Sequence, residues 1–115
     1  MSKIHPTLTV IYTIEEAIKS YRKFAQKNIS KLIADITVDQ VLILIIIDDN
    51  ILITQKEIGD TLFKDYASIT RMIDLLVTND YIKRSINEKD RRRSLLSLTP
   101  KGKQALKKLT PTVLT

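Results

Sequence analysis

Apolar residues recur at Ile11, Ile14, Ile18, Tyr21, Ala25, Ile29, Leu32 and Ile36, in steps of three and four. That spacing predicts one stripe along a single long amphipathic helix. Thr9 or Thr13 is the expected cap. Residues 1–8 contain Pro6 and no period, and are expected to form a short, loose arm. A helix of roughly 25 residues spans about 40 Å, more than the core of so small a domain needs. The Ile11–Tyr21 part of the stripe is therefore expected to be covered from outside. A second copy of the chain is the simplest cover, since two-fold dimers are the commonest oligomers; the alternative is a helix that folds back on its own domain.

The pattern then changes. Val38–Asp49 contains VLILIII, apolar on all sides and rich in β-branched residues. Periodicity alone also permits a buried strand; the length and a cap at Thr37 or Asp39 favour a buried helix, stopped by Asp48-Asp49-Asn50. Ile51–Ile53 reads as a short strand, a candidate third strand for a wing sheet. Thr54 and Glu57 form a T-x-x-E capping box ahead of a short helix, Gln55–Leu62. Phe63-Lys64 makes a turn, and Asp65 or Ser68 starts the next helix, whose apolar set is Ala67, Ile69, Met72, Ile73, Leu76 and Val77. Its opposite face shows Tyr66, Ser68, Thr70, Arg71 and Asp74. A short helix, a tight turn and a longer helix with small hydroxyls near its start make a helix-turn-helix.

Asn79-Asp80 closes that helix. Tyr81–Ser85 alternates, as does Leu95–Leu98 more weakly, and between them lies INEKDRRR. This is a hairpin with a charged tip of Lys89, Arg91, Arg92 and Arg93. Asp90 beside three arginines is expected to pair one guanidinium and aim another. Arginine on a thin projecting loop suits the negative potential of a narrow minor groove. Thr99-Pro100 starts a last helix, with Leu106, Leu109 and Val113 as a weak stripe and Pro111 expected to kink or end it.

The fold class expected is mainly α with a small β-sheet (α+β): a winged helix-turn-helix with a long N-terminal dimerisation helix and a truncated C-terminal helix. Its parts are residues 1–36, arm and dimerisation helix; 37–99, winged-helix domain; and 100–115, the start of the C-terminal helix.

Composition narrows the function. Up to Asp80 there are nine basic against eleven acidic side chains, net −2; from Tyr81 onward there are ten against two, net +8. The whole excess follows the reader helix, where a concentrated positive field attracts a polyanion. The bland reading is a solvated face with a basic tail. Anionic lipid is a lesser rival, because the basic stretch lacks aromatic anchors. There is no cysteine, hence no disulfide or thiolate metal site. The single histidine, His5, has no second histidine or cysteine to make a metal site or triad, and reads as a surface residue. No paired carboxylates beside a histidine, phosphate-cradling glycine loop or nucleophile motif is present. The chain is expected to be no enzyme, to hold no cofactor, and to carry no catalytic or metal residues. Met1–Thr13 lacks the order of a signal peptide and Val41–Ile47 is too short to span a bilayer, so a cytoplasmic location is expected.

Residues 37–110 resemble the MarR family of bacterial winged-helix transcription regulators. The resemblance rests on TVDQVLILIII, then ITQKEIGDTLFKDYASITRMIDLLVTNDYIKRS, then DRRRSLLSLTPKGKQAL. The D-R-R tip followed by S-L-T-x-x-G is its most specific part. It implies a homodimer on a pseudo-palindromic double-stranded operator, with recognition helices in major grooves and wings in adjacent minor grooves. Carried over by position, Ser68, Thr70 and Arg71 are recognition-helix contacts, joined by Tyr66. Arg91 and Arg92 are wing contacts with Asp90 as brace, and Lys56 is a phosphate contact. The family implies a ligand-responsive repressor released by a small phenolic or anionic effector. This chain departs in Phe63-Lys64, where a small-then-apolar pair is usual, and in Asn79-Asp80, where Lys-Gly is common. A further long C-terminal helix completes the dimer in the family, and the chain stops at Thr115 before it. The alternative function is a winged-helix interaction module that dimerises or docks on a protein without reading DNA specifically.

Overall fold

A computed structural model describes residues 5–50 and 52–113. Five helices and one hairpin follow in order: α1 (Pro6–Leu32), α2 (Val38–Asp49), α3 (Gln55–Leu62), α4 (Tyr66–Thr78), β1 (Ile82–Ile86), β2 (Ser94–Leu98) and α5 (Pro100–Val113). The fold is the mainly helical winged helix-turn-helix that the pattern predicts.

The long helix begins earlier than its stripe suggests. Pro6 occupies the first turn, where its missing N–H costs nothing and its fixed φ suits the helix. Nδ1 of His5 accepts from the Thr7 amide at 3.1 Å. His5 is thus the cap, and residues 6–8 are helix rather than arm; residues 1–4 lie outside the described residues. Thr9 and Thr13 sit inside the helix, where each hydroxyl donates to the carbonyl four residues back. The helix also ends sooner, at Leu32. Ile33 is extended, so Ile36 reaches the core from the connection to α2.

α2 forms because its start is doubly capped. Thr37 Oγ1 accepts from the Gln40 amide, and Gln40 Oε1 accepts from the Thr37 amide. Val41, Ile43, Leu44 and Ile47 are buried. The helix packs against α1, α3, α4, α5 and β2. Burying one such side chain is worth about 1.5–3 kcal/mol. Ile29 from α1, Ile58 from α3, Ile69 and Ile73 from α4, Leu96 from β2 and Leu109 from α5 complete the core.

Two strands form the sheet among the described residues, antiparallel with Ile82 opposite Leu98 and Ile86 opposite Ser94. Among the described residues the third strand is not formed. Leu52 is an exposed turn residue and Ile53 donates to the Asn50 carbonyl, closing a turn; Ile51 lies outside the described residues. β1 lies one residue later than the expected Tyr81–Ser85, and β2 begins one residue before the expected Leu95 and ends at Leu98 as expected, because pairing register, not pattern, sets the ends.

Where the wing meets the body, three segments interlock. Asp80 takes a left-handed conformation, φ 65°, which aspartate tolerates. Thr99 Oγ1 donates to the Asp80 and Tyr81 carbonyls and accepts from the Gly102 amide. A Cβ on Gly102 would overlap the Tyr81 carbonyl oxygen. The buried Tyr81 hydroxyl donates to Asp35 Oδ1 at 2.8 Å. Burial first, then that carboxylate, pushes the phenol up to about 12. Its contribution is complete below the ordinary value of 10.0 and fades as pH rises through about 12. Ala105 and Leu109 bury α5 against the core. Pro111 is contained within the helix, and the side chain of Val113 lies outside the described residues.

The N-terminal half of α1 leaves the body, making a molecule 60 × 32 × 21 Å. Ile11, Ile14, Ile18 and Tyr21 are exposed there, whereas Ala25 and Ile29 are buried further along the same stripe. Among the described residues no helix is long and apolar enough to cross a membrane.

Replacing Gly102 by alanine should lower stability by about 1–3 kcal/mol, read as a fall of several degrees in the thermal midpoint. Gly59→Ala, whose Cβ would stand 2.8 Å from the Lys64 carbonyl oxygen, should cost less. Equal midpoints for Gly102→Ala and wild type would contradict the interlock.

Candidate nucleic-acid interface

The short helix α3 is fixed by its own first turn. Thr54 Oγ1 accepts from the Glu57 amide at 3.1 Å, and Glu57 Oε1 accepts from the Thr54 amide at 3.1 Å. The Thr54 amide first, and then the Thr54 hydroxyl donating to Glu57 Oε1 at 2.9 Å, hold the Glu57 carboxyl below its ordinary value of 4.5. The chain turns at Phe63, left-handed at φ 57° and almost fully exposed. The strain of that conformation in a non-glycine residue is about 1–2 kcal/mol. The turn is tight: the Lys64 amide donates to the Gly59 carbonyl at 2.9 Å, and Gly59 leaves room for the Lys64 carbonyl. Asp65 caps α4, accepting from the Ser68 amide at 2.8 Å. Hydrogen bonding from Ser68, side chain first and amide second, holds Asp65 below 3.8.

Burial of its apolar side sets the rotation of α4. Ile69, Ile73 and Leu76 point inward, while Tyr66, Ala67, Thr70, Arg71, Asp74, Leu75 and Thr78 line one shallow outer face. Ala67, expected in the core, is exposed: it precedes Ile69 by two positions, about 200° around the helix. Ser68 and Thr70, expected on the open face, are half-buried. Thr70 Oγ1 accepts from Gln55 Nε2 at 3.1 Å, which ties the two helices of the reader together.

The wing tip is a folded loop. Asn87 Oδ1 accepts from the Lys89 and Asp90 amides. Asp90 Oδ1 accepts from the Arg92 amide at 3.1 Å. The same carboxylate faces the Arg92 guanidinium at 3.6 Å and that of Arg93 at 3.9 Å. Asp90 is therefore bound to Arg92 and Arg93, while Arg91 stands exposed at the tip. The side chain of Arg92 is 94% exposed.

Lys56, Tyr66 and Arg92 converge. With Thr54, Gln55, Arg93, Ser94 and Leu96 they line an open cleft of about 260 Å³ between the start of α3, the start of α4 and the wing. Arg91 is not part of that lining. Thr54, Gln55, Arg93, Ser94 and Leu96 line it too, although sequence reasoning did not single them out as contacts. Position 55 follows the Thr54 cap directly, a signal that it faces outward at a helix start. Arg84 on β1 pairs with Asp74 on α4 at 2.6 Å, bracing wing against reader. No group of three metal-ligating side chains occurs among the described residues.

The sequence model of the MarR family matches residues 36–94, which carry the reader and most of the wing. The chain belongs to the MarR family. The HTH-type transcriptional regulator SarZ of Staphylococcus aureus is 29% identical to it over 89 residues, 77% of this chain and 56% of SarZ. The chain thus spans little more than half the length of that relative. Among solved structures, a mutant of E. coli MarR complexed with operator DNA superposes with a TM-score of 0.84 at 27% identity, over 93% of this chain and 75% of that one. BldR of Sulfolobus solfataricus shares the fold, with a TM-score of 0.82 at 24% identity over 99% of this chain and 81% of that one. Within this MarR-family frame the unusual Phe63-Lys64 turn is accommodated by the left-handed Phe63, and Asp80 serves where glycine is common.

Both caps of the reader titrate in acid. Because the folded-state values of Glu57 and Asp65 are depressed, their stabilisation is present above 4.5 and 3.8 and is lost as pH falls through the lower folded values. Glu57→Gln with Asp65→Asn keeps the accepting oxygens and removes both titrations. The double variant should show a flatter loss of stability between about pH 5 and pH 2, followed by urea unfolding. An acid limb as steep as that of wild type would assign the sensitivity to other carboxylates.

Proposed function

We propose that this chain is a sequence-specific, double-stranded DNA-binding transcriptional regulator that acts as a homodimer on a pseudo-palindromic operator. The observation that carries the reading is the convergence of Lys56, Tyr66 and Arg92 on one cleft beside the outer face of α4. Three segments distant in sequence present cation and aromatic groups to one strip of surface. α4 enters the major groove, where Arg71 and Thr70 meet base edges; Tyr66 and Ser68 flank them. Lys56 neutralises a phosphate. Arg92, steadied by Asp90, enters the neighbouring minor groove with Arg91 at its edge.

The exposed residues Ile11, Ile14, Ile18 and Tyr21 support the dimer: the stripe continues the core and ends in water. A second protomer covers it and sets the spacing of two readers. A docking module that ignores DNA would also use this face, but it leaves the basic cleft without a role. The resemblance supports repression relieved by a small phenolic or anionic effector.

Sedimentation should give twice the monomer mass, and Ile14→Glu with Ile18→Glu should give the monomer. Fluorescence anisotropy should show tighter binding to duplex from the chain's own promoter region than to scrambled duplex, weakening steeply with salt. Arg92→Ala should weaken binding to all duplexes and reduce the slope of log affinity against log salt by about 1. Equal affinity for the two duplexes would overturn sequence-specific regulation.

A further inference from the structure

Thr70 differs from three other threonines of these helices. Thr13, Thr61 and Thr110 each donate their hydroxyl to the carbonyl four residues back, at 2.8, 2.8 and 2.6 Å. Among the described residues Thr70 makes no such return bond; its Oγ1 accepts from Gln55 Nε2 at 3.1 Å. A hydroxyl has one proton and two lone pairs. With the amide engaging a lone pair, the proton stays available for another acceptor. Thr70 lies on the outer face of α4, beside Arg71. Gln55 is itself held, half-buried at the first position of α3, immediately after the Thr54 cap.

We infer that Gln55 is a specificity-positioning residue: by occupying one lone pair it biases the Thr70 hydroxyl to present its proton, rather than its remaining lone pair, toward the DNA, so that Thr70 disfavours cytosine at the base it meets. Guanine, adenine and thymine each offer an acceptor in the major groove, whereas cytosine offers only its N4 amino donor. The inference rests on the DNA-reading proposal and assigns a chemical preference to one step of the operator. Gln55 acts through Thr70 rather than on the base.

The polarity can be reversed. In Gln55→Glu the carboxylate accepts the Thr70 proton, leaving only lone pairs to face the groove. Thr70 then favours an amino group, that of cytosine N4 or adenine N6.

The test is competitive selection from a randomised duplex library with the full chain, reading base ratios at each step rather than total affinity. Thr70→Val identifies the step by the ratio it abolishes. Wild type should disfavour cytosine there by about fivefold or more. Gln55→Met should bring the ratio close to one at that same step, and Gln55→Met with Thr70→Val should lose nothing further, as expected for residues acting as a unit. Gln55→Glu, which places a negative charge in the cleft, should weaken binding to every duplex and yet move the preference toward cytosine or adenine. Circular dichroism checks that the variants fold. The inference is overturned if wild type is selective but Thr70→Val changes no step, or if the Gln55 variants keep the wild-type ratio or alter a different step. A wild type without preference at any step removes the regulator reading itself, an outcome distinct from the other two.

Discussion

A helix that is apolar on every side persists in water only when every side is covered. α2 imposes that condition on the whole fold. It brings Val41, Ile43, Leu44 and Ile47 to the centre, and four helices and a strand close around it. The same residues would suit a strand, and the reciprocal cap between Thr37 and Gln40 is the local bias toward a helix. With α2 helical, α3 and α4 have one apolar surface on which to pack, and β2 another. The reader and the wing are consequently attached to the same support, and their separation is set by core packing, which is dense and resists deformation.

Polar ties refine that arrangement at the edges. Asp39, at the start of α2, meets Arg22 of α1 at 2.9 Å and Lys64 of the reader's turn at 3.4 Å. Gln26 of α1 donates to the Ile36 carbonyl and accepts from the Val38 amide, so α1 holds the connection that leads into α2. At the wing root, Thr99, Gly102, Tyr81 and Asp35 join the hairpin to α5 and to the α1–α2 connection. The ion pairs of Asp39 are only partly exposed. They orient segments whose association the core already stabilises.

The molecule is uneven by design of its first helix. One end of α1 belongs to the core through Ala25 and Ile29, and the other carries a row of exposed isoleucines and tyrosines into solvent. A single continuous helix transmits orientation from one end to the other, because its backbone bonds are internal. The outer end of α1 is therefore connected, through Arg22 and Gln26, to the platform that bears α3 and α4.

Much of this was legible in the chain itself. The cap at Thr37, the capping box at Thr54, the proline after Thr99, the all-apolar run of α2 and the charged wing tip are local signals, decided within one or two turns of backbone, and the structure follows each of them. The excess of basic residues after Tyr81 is likewise a property of order alone. Tertiary structure decided what depends on distant groups. Ile36 is a core residue in a connection, not a helix, because α1 stops where Ile33 must extend toward α2. Ala67 faces water because the packing of Ile69, Ile73 and Leu76 in the core turns the other side of α4 outward. Leu52 and Ile53 form no strand, since a strand needs a partner and a periodic pattern cannot supply one. The cleft that joins Lys56 and Tyr66 to Arg92, and the bond from Gln55 to Thr70, link positions 15 to 36 residues apart. No local pattern encodes such meetings; they exist because three elements share one core.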